Sequence, residues 1–276
     1  MTTGLHIFST APGIRKRAGK PFSLPAFEVV CQVLSALMWK RLNGPIKFYG
    51  DKVACRWLGG LGLLDLYDAV DDEVLESIPA DINQDIFWAG AKLFALQAEK
   101  APVAMVDTDL IIWKPLGDLL DGPLTVLHRE DLIDCYIPKE FLKTRPGYAF
   151  DPQWDWTVHP CNTAFAYFGD EDFKSRYVEK AVDFMRGNGE YPMEMVSQMV
   201  FAEQRLLAME SVKEGLEIHT LVGDPFENGN DIFTHLWGAK NIARNDQKQC
   251  RALVNALMNK IKVEDSSMYE KLRKLV

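Results

Sequence analysis

The chain has 276 residues, 47% of them hydrophobic, and a formal net charge of −8 at pH 7. This composition can form one large core, and so acidic a chain is not expected to bind nucleic acid, which selects basic surfaces. The five scattered cysteines favour reduced thiols over disulfides or a zinc site. Without a recognisable signal peptide or a membrane-spanning apolar run, a cytoplasmic location is expected.

The first part of the chain alternates short apolar runs with helical patterns. Strands are predicted at 5–8, 46–49, 66–70 and 103–106, and helices at 26–42, 51–60 and 83–99. Asp51 is the expected cap of the second helix. Strands that alternate with helices predict an α/β fold with a mostly parallel sheet.

Two aspartates follow the apolar run that ends at Val106. At strand spacing, the side chains of Asp107 and Asp109 point to the same side of the backbone. Open α/β sheets bind ligands at the carboxyl ends of their strands, and magnesium-type ions prefer carboxylate and phosphate oxygens. Leu110 follows at once, so no helix start explains these acids, which are costly to bury without a cation. The pattern predicts a metal–diphosphate site.

A second Asp-x-Asp pattern, at Asp170 and Asp172, follows a predicted strand at 165–168. A helical pattern begins directly after it. Aspartate is a good helix N-cap, and acids in the first turn suit the helix dipole. We therefore interpret Asp170 as a helix cap rather than as a metal ligand.

The second half of the chain is less regular. Strands are predicted at 124–127, 165–168 and 216–221, and helices at 172–186 and 192–209. The irregular segment 135–160 contains Trp154 and Trp156, which either stack on a ligand or pack a lid. An amphipathic tail follows, so we predict a main domain of 1–244 and a helical extension of 245–276 packed on it.

Further polar residues stand in order around the Asp pair. They are Lys92, Asn162, Glu203, His235 and Lys240. Each has an ordinary alternative. The two lysines could be solvated charges, Asn162 a turn residue and His235 a capped or core histidine. Glu203 lies in an apolar helix and needs a partner, which could be Arg205 or another neighbour.

With these residues in this order over roughly 5–240, the chain resembles the GT-A-fold glycosyltransferases that use nucleotide-sugar donors. It looks most similar to the sugar-binding DXD-motif enzymes of bacterial polysaccharide and glycolipid synthesis. The Asp-x-Asp followed by Lys-Pro-Leu at 114–116, and His-Leu-Trp-Gly-Ala-Lys at 235–240, carry the resemblance. It implies a GT-A-type α/β fold, with a mostly parallel central sheet flanked by helices. It also implies metal-dependent transfer of a hexose from a nucleoside diphosphate, with UDP the expected nucleotide, to a saccharide or lipid-linked acceptor.

The predicted metal ligands are Asp107, Asp109 and His235, with Asp109 the more direct ligand by resemblance. A nitrogen ligand favours Mn²⁺ over Mg²⁺, because imidazole suits softer ions. Glu203 and Lys92 are the candidate catalytic residues. The residues expected to bind the donor are Thr10, Lys92, Asp107, Thr108, Asn162 and Lys240. No side chain can be singled out as the base of an inverting reaction.

Two alternatives remain open at this point. A protein that binds or hydrolyses nucleotide sugars would share the metal site but have no acceptor. A GT-A domain with a decayed site would act as an interaction module, with the amphipathic tail as its contact surface. A homodimer and peripheral membrane association are also compatible with the sequence.

Overall fold

The structure is a computed structural model that describes residues 1–12, 14–17, 19–190, 195–224 and 230–275. The strands are β1 Thr3–Phe8, β2 Ile46–Gly50, β3 Ala69–Asp71, β4 Val103–Val106, β5 Leu110–Ile112, β6 Leu124–Val126, β7 Phe165–Phe168, β8 His219–Thr220 and β9 Phe233–His235. The helices are α1 Ile14–Arg17, α2 Ala26–Leu42, α3 Lys52–Gly60, α4 Ala91–Ala98, α5 Glu171–Met185, α6 Met195–Val200, α7 Leu206–Lys213, α8 Trp237–Asn245, α9 Gln247–Glu264 and α10 Ser266–Leu272. A π-helix, Phe201–Arg205, joins α6 to α7.

Seven strands form one sheet in the order β3-β2-β1-β4-β7-β6-β8. Neighbouring strands pair in parallel except at β7, which runs antiparallel to both β4 and β6. β5 and β9 form a separate two-stranded antiparallel sheet. This arrangement confirms the predicted α/β fold with a mostly parallel central sheet flanked by helices.

Both faces of the central sheet are covered. Along β4, Ala104 and Val106 join a core with α2, α9 and α10, whereas Val103 and Met105 join a core with α4, α5 and α7. This alternation follows from the two-residue period of a strand. A strand buried on both faces reads as a continuous apolar run, which is why the sequence revealed β4 clearly.

Several predicted elements match the structure. The predicted helix 26–42 is α2, and Asp51 caps α3 by accepting a hydrogen bond from the amide of Ala54 at 2.8 Å. The predicted helix 192–209 corresponds to α6, the π-helix and α7, although 192–194 lie outside the described residues. Asp170 caps α5, as predicted, by accepting from the amide of Phe173 at 2.8 Å.

Other predicted elements are wrong. The helix predicted at 83–99 begins only at Ala91, because the side chain of Asn83 accepts from the amide of Asp85 at 3.0 Å and sets a turn instead. The strand predicted at 66–70 is shifted to β3, since a short 3₁₀ turn occupies Leu64–Leu66. The strand predicted at 216–221 shortens to β8. The pairing of β5 with β9 had no local signal.

Within the described part of the chain, no helix is long and apolar enough to cross a membrane.

Candidate active site

Asp107 and Asp109 lie in a tight turn between β4 and β5. The amide of Leu110 donates to the carbonyl of Asp107 at 2.9 Å, which closes the turn. The two carboxylates therefore converge through a turn, so the prediction that strand alternation aligns them is wrong. The turn is fixed to the central sheet by the amide of Asp107, which donates to the carbonyl of Ala164 at 2.8 Å.

The small sheet brings His235 to the same place. β9 pairs with β5 so that His235 lies opposite Leu110, and the amide of Leu236 donates to the carbonyl of Asp109 at 3.0 Å. Ligand atoms of Asp107, Asp109 and His235 all lie within 4.8 Å of one another. Two carboxylates and one imidazole form a donor set that suits a divalent ion such as Mn²⁺.

The imidazole of His235 is suited to ligation. Burial lowers the pKa of His235, and the nearby carboxylates of Asp109 and Asp107 only partly oppose that shift. The ring is therefore neutral at pH 7, with a lone pair available, as metal binding requires.

Lys240 lies on α8 and contacts Asp109. Its Nζ is 2.8 Å from Asp109 Oδ2, and His235 Nε2 is 3.8 Å from the same oxygen. Asp109 is only 5% exposed, and burial alone would disfavour its charge. The Lys240 ammonium is the main opposing influence, and it holds the pKa of Asp109 below its ordinary value. The carboxylate is therefore ionised at neutral pH.

Lys92, near the start of α4, joins Asp107 to Glu203. Its Nζ lies 2.6 Å from Asp107 Oδ1 and 2.8 Å from Glu203 Oε1. Burial disfavours the ammonium charge, but the two carboxylates outweigh it and raise the pKa of Lys92. Burial also raises the pKa of Glu203, against the opposing attraction of Lys92. The three side chains form a carboxyl–ammonium–carboxyl triad in which Glu203 is buried and Lys92 and Asp107 are half-buried.

Glu203 reaches this triad from the π-helix. The hydroxyl of Tyr177 donates to the carbonyl of Glu203 at 2.7 Å, and the amide of Cys161 donates to the carbonyl of Gln204 at 3.2 Å. Both carbonyls are thus bonded to groups outside the helix, which compensates for its wider turn. Helices with such turns are frequent at functional sites.

Arg205 is not the partner of Glu203, so that alternative is wrong. Its guanidinium donates to the carbonyls of Tyr136 and Ile137 at 3.2 and 2.7 Å, and to that of Trp156 at 2.7 Å. It also lies over the ring of Trp156, 4.9 Å from its centroid. Arg205 therefore fixes the irregular segment 135–160 and takes no part in the Lys92–Asp107–Glu203 triad.

Asn162 lies just before β7, at the same edge of the sheet. Its Oδ1 accepts from the amide of Ala164 at 3.0 Å, and its Nδ2 donates to Glu130 Oε1 at 2.6 Å. Sequence reasoning missed Glu130, although it follows β6 much as Asp107 follows β4. The parallel direction of β4 and β6, which places both carboxyl ends at one edge, depends on the topology and has no local signal.

The sequence profile of a family of unknown function (DUF6734) matches residues 15–275. The chain belongs to this family. A search of curated proteins finds none that matches it.

Solved structures similar to this DUF6734 member include several glycosyltransferases. Mouse xyloside xylosyltransferase 1, in its apo form, has 14% identity and a TM-score of 0.41, covering 80% of this chain and 84% of that one. PaToxG glycosyltransferase has 12% identity and a TM-score of 0.39, with coverages of 99% and 87%. Galactosyltransferase LgtC, solved with donor and acceptor sugar analogs, has 12% identity and a TM-score of 0.38, with coverages of 95% and 100%. These values assign neither a donor nor an acceptor to the DUF6734 chain.

Two of the predicted donor-binding residues of this DUF6734 chain lie at strand ends. Thr108 is half-buried in the turn between the two aspartates. Thr10 is buried after β1, where its amide donates to the carboxylate of Asp51. A groove of about 600 Å³ is lined by Ala11, the residue after Thr10, and by the segment 79–85. The structure thus places Thr108 between the candidate ligands Asp107 and Asp109 and directs the amide of Thr10 towards Asp51.

The two tryptophans of the irregular segment pack inward. Trp154 is 5% exposed, and its indole donates to the carboxylate of Glu210. Trp156 stacks on Phe201, with ring centroids 5.5 Å apart and planes within 10°. Their rings belong to the core beneath this segment, which favours the packing alternative over stacking on an acceptor.

Proposed function

We propose that this protein is a metal-dependent glycosyltransferase that moves a hexose from UDP to a saccharide or lipid-linked acceptor. The observation that carries the proposal is the convergence of Asp107, Asp109 and His235 at the carboxyl edge of the sheet. Lys92 and Lys240 contact the same two aspartates, so cationic groups flank the ligand set. A nucleoside diphosphate is a ligand that this combination of charges suits.

The chemistry of sugar transfer supports this choice. A diphosphate leaves readily only if its charge is neutralised as the glycosidic C–O bond breaks, and a bound divalent ion supplies that Lewis-acid stabilisation. Asp107, Asp109 and His235 would hold the ion. Lys240, which is 26% exposed, would add a point charge to a phosphate oxygen.

Lys92 and Glu203 would act on the sugar side of the site. Lys92 holds the side chains of Asp107 and Glu203 in place, since its Nζ lies within 2.8 Å of an oxygen of each. A carboxylate held in this way can accept hydrogen bonds from sugar hydroxyls and orient the transferred hexose. Asn162, fixed by Glu130, would offer amide contacts from the neighbouring strand end.

The first test is calorimetric titration of UDP and of GDP into the protein, with and without Mn²⁺. We expect binding of UDP that requires the metal and that is abolished in Asp109→Asn. The matched control is Asp172→Asn, which alters the exposed second Asp-x-Asp on α5 and should bind as the wild type does.

Metal-independent binding, or equal binding by Asp109→Asn and the wild type, would contradict the proposal. An enzyme that binds UDP–hexose with metal but releases the sugar only to water, whatever acceptor is offered, would instead be a nucleotide-sugar hydrolase.

A further inference from the structure

A buried polar pair lies directly behind the metal ligands. His6, on β1, is fully buried, and Ser35, on α2, is 1% exposed. His6 Nε2 lies 3.0 Å from Ser35 Oγ, and Ser35 Oγ donates to the carbonyl of Leu110 at 2.5 Å. Leu110 is the first residue of β5 and follows Asp109 in the chain.

The carbonyl of Leu110 depends on Ser35. The amide of Leu236 donates to the carbonyl of Asp109, and the amide of Trp113 donates to the carbonyl of Ile232. Positions 109 and 113, one on each side of β5, therefore bond towards β9. In an antiparallel ladder the bonded positions alternate, so the Leu110 carbonyl points away from β9 and towards α2. Leu110 is fully buried, and an unpaired buried carbonyl is costly.

The direction of each hydrogen bond in this group is determined. Ser35 gives its only proton to Leu110, so it must accept from His6 Nε2–H. On the other side, Gln32 Nε2 donates to the hydroxyl of Tyr67 at 2.8 Å, leaving that hydroxyl to donate to His6 Nδ1 at 3.1 Å. His6 is therefore neutral, with its proton on Nε2. Each group in this series donates its hydrogen bond to the next one in the direction of Leu110.

We propose that Ser35 and His6 are positioning residues for the metal site, acting through the backbone of Leu110. Leu110 is adjacent to Asp109 in sequence and opposite His235 in the ladder, so its position sets that of two of the three ligands. Neither side chain touches the ion or the donor. This inference rests on the proposed function, because it assumes that a divalent ion binds the three ligands.

A positioning role is physically reasonable because metal affinity depends on small errors in ligand placement. Ligand groups must be held within about 0.5 Å of the productive geometry, and outer partners commonly change metal affinity about tenfold or more. Ser35 fixes Leu110 against α2, a long helix buried along most of its length. The ligands are thereby held by the buried core as well as by the two-stranded sheet.

The test is a titration of Mn²⁺ followed by electron paramagnetic resonance, which needs neither donor nor activity. We expect Ser35→Ala to weaken Mn²⁺ binding about tenfold. The matched control is Ser211→Ala, which removes another fully buried serine hydroxyl that donates to a carbonyl, that of Leu207, at 2.8 Å on α7. Ser211→Ala should leave Mn²⁺ affinity unchanged.

A second variant guards against misfolding of Ser35→Ala. Ser35→Cys keeps nearly the same volume but offers only a weak donor, so it should also weaken Mn²⁺ binding. His6→Leu combined with Ser35→Ala should bind Mn²⁺ no more weakly than Ser35→Ala alone, because His6 acts through Ser35.

The outcomes separate this inference from the proposed function. If Asp109→Asn abolishes Mn²⁺ binding but Ser35→Ala and Ser35→Cys bind as the wild type does, the positioning role is overturned and the metal site stands. If Asp109→Asn binds Mn²⁺ normally, the metal site itself is wrong, and the positioning role fails with it.

Discussion

Each aspartate of the candidate site is held by a lysine from a different helix. Lys92 on α4 contacts Asp107, and Lys240 on α8 contacts Asp109. The two lysines differ in freedom, since Lys92 is fixed between two carboxylates whereas Lys240 contacts one among the residues that the structure describes. A cation that approaches Asp109 Oδ2 must therefore compete with the Lys240 ammonium, which would then be free to contact phosphate.

This competition gives a prediction with opposite signs for two ligands. Lys240→Met should strengthen Mn²⁺ binding a few-fold, because the competing ammonium is gone. The same variant should weaken UDP binding in the presence of Mn²⁺ about tenfold, because one charged hydrogen bond is lost. Calorimetry with each ligand checks both signs, and Lys248→Met on the exposed side of α9 is the control. Parallel losses of both affinities would show that Lys240 only supports the fold.

The buried imidazole of His6 predicts a pH dependence of stability. Burial lowers the pKa of His6 to about 3, below its ordinary value of 6.5. Between these values the unfolded chain binds a proton that the folded chain does not, so stability falls as the pH falls from 6.5 towards 3. The slope from this group approaches about 1.4 kcal/mol per pH unit.

Urea denaturation at pH 6, 5 and 4 measures that slope. Carboxylates contribute in the same window, so the comparison with His6→Gln isolates the imidazole. We expect the free energy of unfolding of the variant to depend less steeply on pH. Equal slopes in the two proteins would mean that folding does not lower the pKa of His6.

Single residues of the site differed in how visible they were in the sequence. Asp107 and Asp109 stood out because two acids directly after an apolar run need an explanation, and Glu203 because it interrupts an apolar helix. Ser35 and His6 gave no such signal, since serine and histidine are unremarkable inside apolar patterns. Their function depends on one backbone carbonyl more than 70 positions away, which only the fold brings near.

At the scale of elements, the π-helix stands out. The π turn contains one residue more than an α-helical turn. In a regular α-helix over 195–213, the side chain of Glu203 would therefore point in a different direction around the helix axis. The wider turn leaves carbonyls without helical partners, and these must be bonded elsewhere. Tyr177 on α5 supplies the donor for the carbonyl of Glu203, so α5 and the π-helix are joined by more than apolar packing.

Tyr177→Phe should therefore destabilise the protein by about 1–3 kcal/mol, since a buried carbonyl loses its partner while the ring still packs. Tyr269→Phe, at a half-buried position on α10, should change the free energy of unfolding by less than about 0.5 kcal/mol. Chemical denaturation of both variants makes the comparison. Equal stabilities would indicate that the π-helix needs no external donor.

Elements with strong local signals were predicted well, and those set by tertiary contacts were not. The bounds of α2 and the cap of α5 follow from apolar periodicity and side-chain chemistry within a few residues. The segment 83–90 has a helical pattern but forms turns, because Asn83 bonds to its own backbone. β5 and β9 are three residues each and lie more than 120 positions apart, so their pairing is a property of the closed fold.

At the scale of the whole molecule, the C-terminal tail (residues 245–276) packs against the elements that carry the candidate site. Leu257, Ile261 and Leu272 are buried in the same core as α2 and β5, and Arg41 on α2 pairs with Glu264 on α9. α2 is the helix that holds Leu110 through Ser35. The tail therefore completes the core on which the metal ligands rest, whether or not it also contacts a partner.

Two positions on α9 test this dependence within one turn. Ile261 is fully buried, so Ile261→Ala should lower the free energy of unfolding by about 2–5 kcal/mol. Val263 is 81% exposed, so Val263→Ala should change it by less than about 0.5 kcal/mol. Thermal and chemical denaturation with a single cooperative transition would show that the tail unfolds with the sheet. If Ile261→Ala matched Val263→Ala, or gave a separate early transition, the tail would be an independent segment. It would then be free to serve as a contact surface.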